Sequence, residues 1–191
     1  MVSANSAVPR ANDDTPLVLR AIERDHEAFG ELYDRHVVRV YRHLYYMVGN
    51  AAEAEDLTAQ TFLRAWEAID RYQVRGAPFV SWLLRIAHNL GVSYLRSKRE
   101  SSQLHDGIID DKPRRDPEWS YQQTAEEELV REAIMHLREE QRQVVILRFI
   151  EELEYREVAE IIGKSVAAIR VIQHRALNAL RKQMKLLDPA V

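Results

Sequence analysis

At 191 residues with a net charge of −3 and no cysteine, the chain has room for one ordinary domain or two small ones. Its mild acidity argues against a general nucleic-acid coat protein, and the missing cysteine removes disulfides, thiolate metal sites and a cysteine nucleophile. Met1 to Thr15 is small and polar, and apolar runs such as Val144 to Leu147 are far too short to span a bilayer, so a soluble cytoplasmic protein without membrane insertion is expected.

In chain order, apolar residues recur at spacings of three and four, with no clear period-two run. The first 14 residues read as a disordered N-terminus. Asp25 is placed to cap a helix whose wide stripe carries Phe29, Leu32, Tyr33, Val37, Val40, Tyr41, Leu44, Tyr45 and Val48, ending at Gly49. Asn50 caps the next helix, with Glu53 three residues on as in a capping box. Leu57, Thr61, Ala65 and Ile69 mark one face of that helix, beside Phe62 and Trp66. Arg71 to Ala77 reads as a loop. Pro78 sits at the first turn of a further helix bearing Leu83, Ile86, Ala87 and Leu90, which runs into Arg96, Lys98 and Arg99.

Periodicity disappears from Ser101 to Trp119, where Asp106, Asp110, Asp111, Asp116 and Glu118 share the stretch with Pro113 and Pro117. It reads as an extended, mostly acidic tether. Helical periodicity returns near Thr124, with Leu129, Val130, Ala133, Ile134 and Leu137 on one face. Further helices are expected at Glu139 to Ile150, Tyr155 to Ile162 and Ser165 to Leu187. The fold class is therefore all-α, as two small helical domains at 15–100 and 123–188 joined by a flexible linker at 101–122. They span 86 and 66 residues, sizes that can fold alone.

Charge is sharply segregated along the second domain. From Glu126 to Glu160 there are eleven Glu against five Arg, whereas Lys164 to Lys185 holds six basic residues and no acidic one. Ile162-Gly163-Lys164-Ser165 separates the two as a short turn between helices, with Ser165 as cap. A helix, a Gly-containing turn and a basic helix form a helix-turn-helix whose second helix enters DNA. In that last helix Ile169, Ile172, Ala176 and Leu180 share one face, while Arg170, Val171, His174, Arg175 and Asn178 lie opposite. These offer bidentate donors for guanine or phosphate, an amide for adenine and a methyl-bearing side chain for thymine. Val171, a β-branched apolar residue on a polar face, needs a partner.

A second constellation interleaves Phe79, Trp82 and Tyr94 with Arg85, His88, Asn89, Arg96, Lys98 and Arg99. Basic groups that track a backbone beside aromatic faces suit single-stranded DNA, although Phe79 and Trp82 fit a core equally well. Seven histidines show no H-E-x-x-H or similar ligand spacing, so no metal, cofactor or catalytic residue is expected. His36 and His43 read as helix-surface or core-edge groups. At this level an ordinary helix-turn-helix regulator with an N-terminal helical sensor domain is an alternative, and it requires a dimer that binds its operator alone.

Three segments carry a resemblance: AEDLTAQTFLRAW (Ala54 to Trp66), FVSWLLRIAHNLGVSYLRSKR (Phe79 to Arg99) and YREVAEIIGKSVAAIRVIQHRALNALRK (Tyr155 to Lys182). In this order and separation they resemble the bacterial extracytoplasmic-function sigma factors, RNA polymerase specificity subunits that keep only the second and fourth sigma domains. The resemblance implies a non-enzymatic factor, monomeric when free, that directs core polymerase to promoters and aids their melting. It implies that Glu55, Asp56 and Gln60 meet the clamp coiled coil of the largest polymerase subunit. Members usually show Gln-Glu where this chain has Ala59-Gln60, one carboxylate fewer. Tyr72, Arg75, Phe79, Trp82 and Asn89 fall to the −10 pocket, and Arg96, Lys98 and Arg99 to the duplex just upstream. Lys164, Ser165, Arg170, Val171, His174, Arg175 and Asn178 fall to the −35 motif. The resemblance further implies that the acidic linker threads toward the polymerase active centre and that an anti-sigma factor holds the protein inactive.

Overall fold

The computed structural model describes residues 13–74, 78–104 and 125–187. The first twelve residues, Arg75, the acidic tether and Thr124 lie outside them. Among the described residues the N-terminal unit has four helices: α1 (Thr15–Ile22), α2 (His26–Val48), α3 (Ala51–Ala68) and α4 (Phe79–Leu104), with a 3-10 turn at Ile69–Arg71. The C-terminal unit continues with α5 (Ala125–Met135), α6 (Glu139–Val145), a π-helical turn at Ile146–Ile150, α7 (Tyr155–Ile162) and α8 (Val166–Leu187).

The helix ends follow from local chemistry. Asp25 Oδ1 accepts from the backbone N–H of Glu27 and Ala28 at 3.0 and 3.1 Å, starting α2. Gly49, with φ at 74°, closes it in the left-handed conformation that only glycine adopts freely. Asn50 Oδ1 accepts from Glu53 N–H at 3.2 Å, the forward half of the anticipated capping box. Pro78 immediately precedes α4, and its carbonyl accepts from the N–H groups of Ser81 and Trp82. Between α7 and α8, Gly163 also has φ at 74°, and Ser165 Oγ accepts from Ala168 N–H at 3.2 Å.

Two local features depart from the sequence expectation. Helix α1 was not anticipated, because eight residues give little periodicity; Leu17, Val18 and Ala21 nevertheless bury against the α2 side of the core. The helix expected over Glu139 to Ile150 is α-helical only to Val145. It then widens, with Glu151 N–H donating to the Ile146 carbonyl at 3.0 Å. Such a π turn rotates the residues that follow it and is common where a side chain must be re-aimed. Here it brings Glu151 into the protein interior.

A tether of this kind leaves the relative placement of the units open, and in the structure they share a core. Leu44, Met47, Val48, Leu83 and Leu90 of the N-terminal unit belong to one buried cluster with Ile134, Leu137, Val145, Ile146 and Ala176 of the C-terminal unit. Leu84 of α4 is buried in a second cluster with Val144, Leu147, Val158, Ile161 and Ile169. The reason lies in α4: its apolar stripe is wide enough to face both ways, with Leu83 and Leu84 fully buried in different clusters. A Cβ on Gly49 would lie 2.5 Å from the Met135 terminal methyl, so the absence of a side chain there admits the C-terminal unit.

Polar groups are buried in the same region. The Glu151 carboxylate has no exposed surface; Arg39 Nε donates to its Oε2 at 2.7 Å, and Arg42 Nη2 lies 3.8 Å away. Arg39 Nη2 also donates to the Glu151 carbonyl at 2.5 Å, and Arg42 Nη2 to the Ile150 carbonyl at 3.2 Å. Burial pushes the Glu151 carboxyl upward from its ordinary range, and Arg39 opposes that shift. His43 and His88 sit with ring centroids 6.0 Å apart, both buried. Burial lowers the His88 pKa to about 4 and holds His43 well below its ordinary value.

Candidate nucleic-acid interface

Helix α8 divides cleanly between packing and display. Ile169, Ile172 and Ala176 are buried, while Arg170, His174, Arg175 and Asn178 are exposed and Val171 is 49% exposed. This is the division the sequence periodicity requires. The guanidinium of Arg170 lies 5.0 Å from the Tyr155 ring centroid, and Arg148 sits 4.2 Å from the same ring. Tyr155 therefore holds Arg170 in a defined place before any ligand arrives. Asn178 Nδ2 is 3.2 Å from His174 Nε2, which sets the two polar tips side by side. Lys164, also expected to contact DNA, is paired with Glu140 at 2.8 Å, and the Ser165 hydroxyl accepts the helix cap bond.

The aromatic residues of the N-terminal unit come together as a cluster. Ring centroids are 5.2 Å apart for Tyr72 and Trp82, 5.8 Å for Tyr72 and Phe79, and 5.6 Å for Phe79 and Trp82. Phe79 is only 4% exposed and forms the floor, whereas Tyr72 and Trp82 are half-buried at the rim. Burial, with Asp14 nearby, raises the Tyr72 phenol pKa, so the ring presents a neutral hydroxyl. Beside them is a cleft of about 330 Å³ lined by Arg71, Tyr72, Gln73, Ser81, Trp82 and Arg85 on one wall. Glu157, Glu160 and Ile161 of α7 form the other.

Arg71 and Gln73 escaped the sequence reading, although they flank Tyr72 directly. Farther along α4, Asn89 is exposed, Arg96 pairs with Glu100 at 3.1 Å, and Arg99 donates to Glu139 of the C-terminal unit at 2.5 Å. Lys98 is half-buried.

A third surface lies on α2 and α3. Glu55, Asp56 and Gln60 are exposed on α3, as expected of contact residues. Glu55 borders a groove of about 310 Å³ lined also by Tyr33, Val37, Val38, Tyr41, Thr58 and Ala59. Val38 is 54% exposed and Leu63 59%, so the surface is apolar as well as charged. The sequence held that signal in the α2 stripe, which is wider than a single core contact requires. Among the described residues no group of three or more metal-ligating side chains occurs, and no helix is long and apolar enough to cross a membrane.

Residues 32–101 match Sigma-70 region 2, and residues 133–182 match Sigma-70, region 4. The chain is 36% identical over 180 residues to the ECF RNA polymerase sigma factor BldN of Streptomyces coelicolor, covering 91% of this chain and 68% of BldN. It is 30% identical over 178 residues to the ECF sigma factor SigW of Bacillus subtilis, covering 84% and 91% of the two chains. In fold it resembles CnrH, solved with the cytosolic domain of CnrY, at a TM-score of 0.71 and 24% identity over 92% of this chain and 99% of that one. It also resembles RpoE, solved with the anti-sigma factor NepR from Bartonella quintana, at a TM-score of 0.72 and 23% identity over 82% and 96%.

Proposed function

Since the chain belongs to the extracytoplasmic-function RNA polymerase sigma factors, we propose how its three surfaces divide the work of directing core polymerase to a promoter. The N-terminal unit, 15–100, docks on the clamp coiled coil of the largest subunit through Glu55, Asp56 and Gln60. The apolar side chains of Val38 and Leu63 supply the desolvated centre of that contact. Tyr72, Trp82 and Arg75 receive an unstacked −10 base, Phe79 backs the pocket and Asn89 lies along its edge. Arg96, Lys98 and Arg99 hold the duplex upstream. The C-terminal unit, 123–188, places α8 in the major groove of the −35 element, with Arg170, Val171, His174, Arg175 and Asn178 toward base edges and Lys164 and Ser165 toward phosphate.

The observation that carries this reading is the exposed, acid-free face of α8, whose Arg170 is already fixed on Tyr155. No covalent step belongs to this chain. Opening the −10 region costs a few kcal/mol per flipped base, offset by capture in the pocket. The factor acts in the cytoplasm as a monomer when free, and an anti-sigma protein restrains it; both solved neighbours were captured with partners, one of them a named anti-sigma factor. The sensor-domain alternative fails, because Sigma-70 region 2 occupies the place it needs.

Reconstitution with core polymerase and sequencing of transcript starts tests the reading. Discrete starts preceded by shared −10 and −35 motifs are expected. Tight operator binding by a dimer, with no polymerase-dependent initiation, would overturn it.

A further inference from the structure

Behind the ring cluster of Tyr72, Phe79 and Trp82 lies a polar pair that none of the three surfaces uses. His36 of α2 and Asp14, the residue before α1, meet with Nε2 and Oδ2 2.7 Å apart, and their side chains are only 12% and 16% exposed. An ionised carboxylate only accepts, so Nε2 carries the hydrogen and the imidazole is held in one orientation. In that orientation the ring lies against Phe79, with centroids 5.7 Å apart and planes tilted by 52°. Phe79 in turn meets the Tyr72 ring edge to face, at 5.8 Å and 86°. The contacts therefore run in series from Asp14 through His36 and Phe79 to Tyr72 at the rim.

Asp14 does not cap α1, which is the ordinary duty of an aspartate at that position. The Thr15 N–H is taken by Asp13 Oδ1 at 3.0 Å, and the Asp14 side chain makes no cap bond. It is turned toward α2 instead, where Arg35 Nη1 also lies 3.3 Å from its Oδ1. Burial alone would raise the Asp14 carboxyl, but the His36 and Arg35 contacts outweigh it and hold the group below its ordinary range. Asp14 also precedes residues 32–101 that match Sigma-70 region 2, so this support for the cluster comes from outside the matched segment.

We propose that Asp14 and His36 are positioning residues for capture of the −10 base. They fix Phe79, and through it Tyr72, where the unstacked base needs a ring already in place. The inference rests on the assignment of the Tyr72 and Trp82 face to the −10 element. Aromatic contacts depend on offset and tilt, so a floor ring free to shift loses part of the stacking it offers. A floor ordered in advance leaves no ordering cost for the moment of capture. Neither residue needs to touch DNA. The effect belongs to promoter opening and leaves −35 binding through α8 and core docking through α3 unchanged.

The test measures open-complex formation by the holoenzyme at a promoter found by start mapping, with 2-aminopurine in the non-template −10 strand as reporter. Rates taken over a range of holoenzyme concentrations separate initial promoter affinity from the rate of opening. His36→Ala and Asp14→Ala should each slow opening about tenfold and leave initial affinity within about twofold. The double variant should be no slower than His36→Ala alone, because the same contact is lost in all three. Asp14→Asn keeps an acceptor for the Nε2 hydrogen and should open within about threefold of the wild-type rate. Arg35→Ala is the control: it removes an exposed partner of Asp14 but no ring contact, and should change opening less than about twofold.

Losses that multiply in the double variant, or an Asp14→Asn chain as slow as Asp14→Ala, overturn the pairing. Equal slowing by Arg35→Ala, or a fall in initial affinity as large as the fall in opening rate, assigns the pair to general stability and overturns the proposal too. If the alanine variants open normally while Trp82→Ala is slow, the positioning role fails and the −10 assignment of the face stands. Should Trp82→Ala also leave opening intact, the assignment fails and takes the positioning role with it.

Discussion

Replacing Arg39 by alanine removes the main partner of a carboxylate with no exposed surface. Glu151 Oε1 already has no hydrogen-bond partner, and the remaining cation, Arg42, lies 3.8 Å from Oε2. Breaking a buried pair from one side costs about 3–5 kcal/mol when nothing compensates. Two features reduce that figure here: Arg39 is itself one-third exposed, and Arg42 is within reach of the orphaned charge. A loss of about 2 kcal/mol is therefore expected at neutral pH. The double variant Arg39→Ala/Glu151→Gln should recover about half of it, because an amide in that site carries no unpaired charge.

Urea denaturation of the four proteins, followed by tryptophan fluorescence, gives the coupling energy as a double-mutant cycle. The sign of the pH dependence is fixed as well. Burial raises the Glu151 pKa in the folded state, and removing Arg39 raises it further. A group with a raised folded-state pKa contributes stability that is lost as pH rises through that value. The Arg39→Ala deficit should therefore be smaller at about pH 5 than at about pH 8. A loss below about 0.5 kcal/mol, equal at both pH values, refutes a stabilising role for the buried pair.

Arg170→Ala and Arg175→Ala should each weaken −35 use by about 1–3 kcal/mol where a bidentate base contact is lost, read as run-off transcription from promoters with intact and altered −35 elements. Val38→Asp and Leu63→Asp place a charge in the apolar part of the α2–α3 surface; each should lower affinity for core polymerase at least tenfold in a competition assay, about 1.4 kcal/mol, without changing the helical circular dichroism. With the His88 pKa lowered to about 4, the unfolded chain binds a proton that the folded one refuses. Stability should be complete above the ordinary histidine value and fall as pH drops toward 4, by about 3 kcal/mol for this residue. Glu151 offsets part of the loss, and His88→Gln should flatten the slope of unfolding free energy against pH.

The local fold was legible because each signal has a near neighbour as its cause. Asp25, Asn50, Gly49, Gly163 and Ser165 act within three or four residues, and each does what its type predicts. The exposed set on α8 was legible for the same reason, since a step of one residue turns Arg170 away from the buried face of Ile169 and a step of two turns His174 away from that of Ile172. The aromatic segment was only half legible. Its composition gave the chemistry, but whether Phe79 or Trp82 faces solvent depends on α2 and α7, which lie far away in sequence. The π turn at Ile146–Ile150 leaves no mark in apolar spacing, and α1 is too short to show a period.

The placement of the C-terminal unit was the part that sequence could not supply, yet its cause was visible in outline. Eleven glutamates precede the basic helix, and their sequence shows the sign of the surface they present without saying what it meets. Four of them, Glu139, Glu151, Glu157 and Glu160, instead meet or line the N-terminal unit beside Arg39, Arg99, Ser81 and Arg85. A charge pattern fixes the sign of a partner but not its identity, because any basic surface satisfies it equally. Here the nearest basic surface belongs to the same molecule, tied by covalent connection at a high effective concentration. These four carboxylates add direction to a contact whose main hold is the apolar core that Leu83 and Leu84 share with the C-terminal unit.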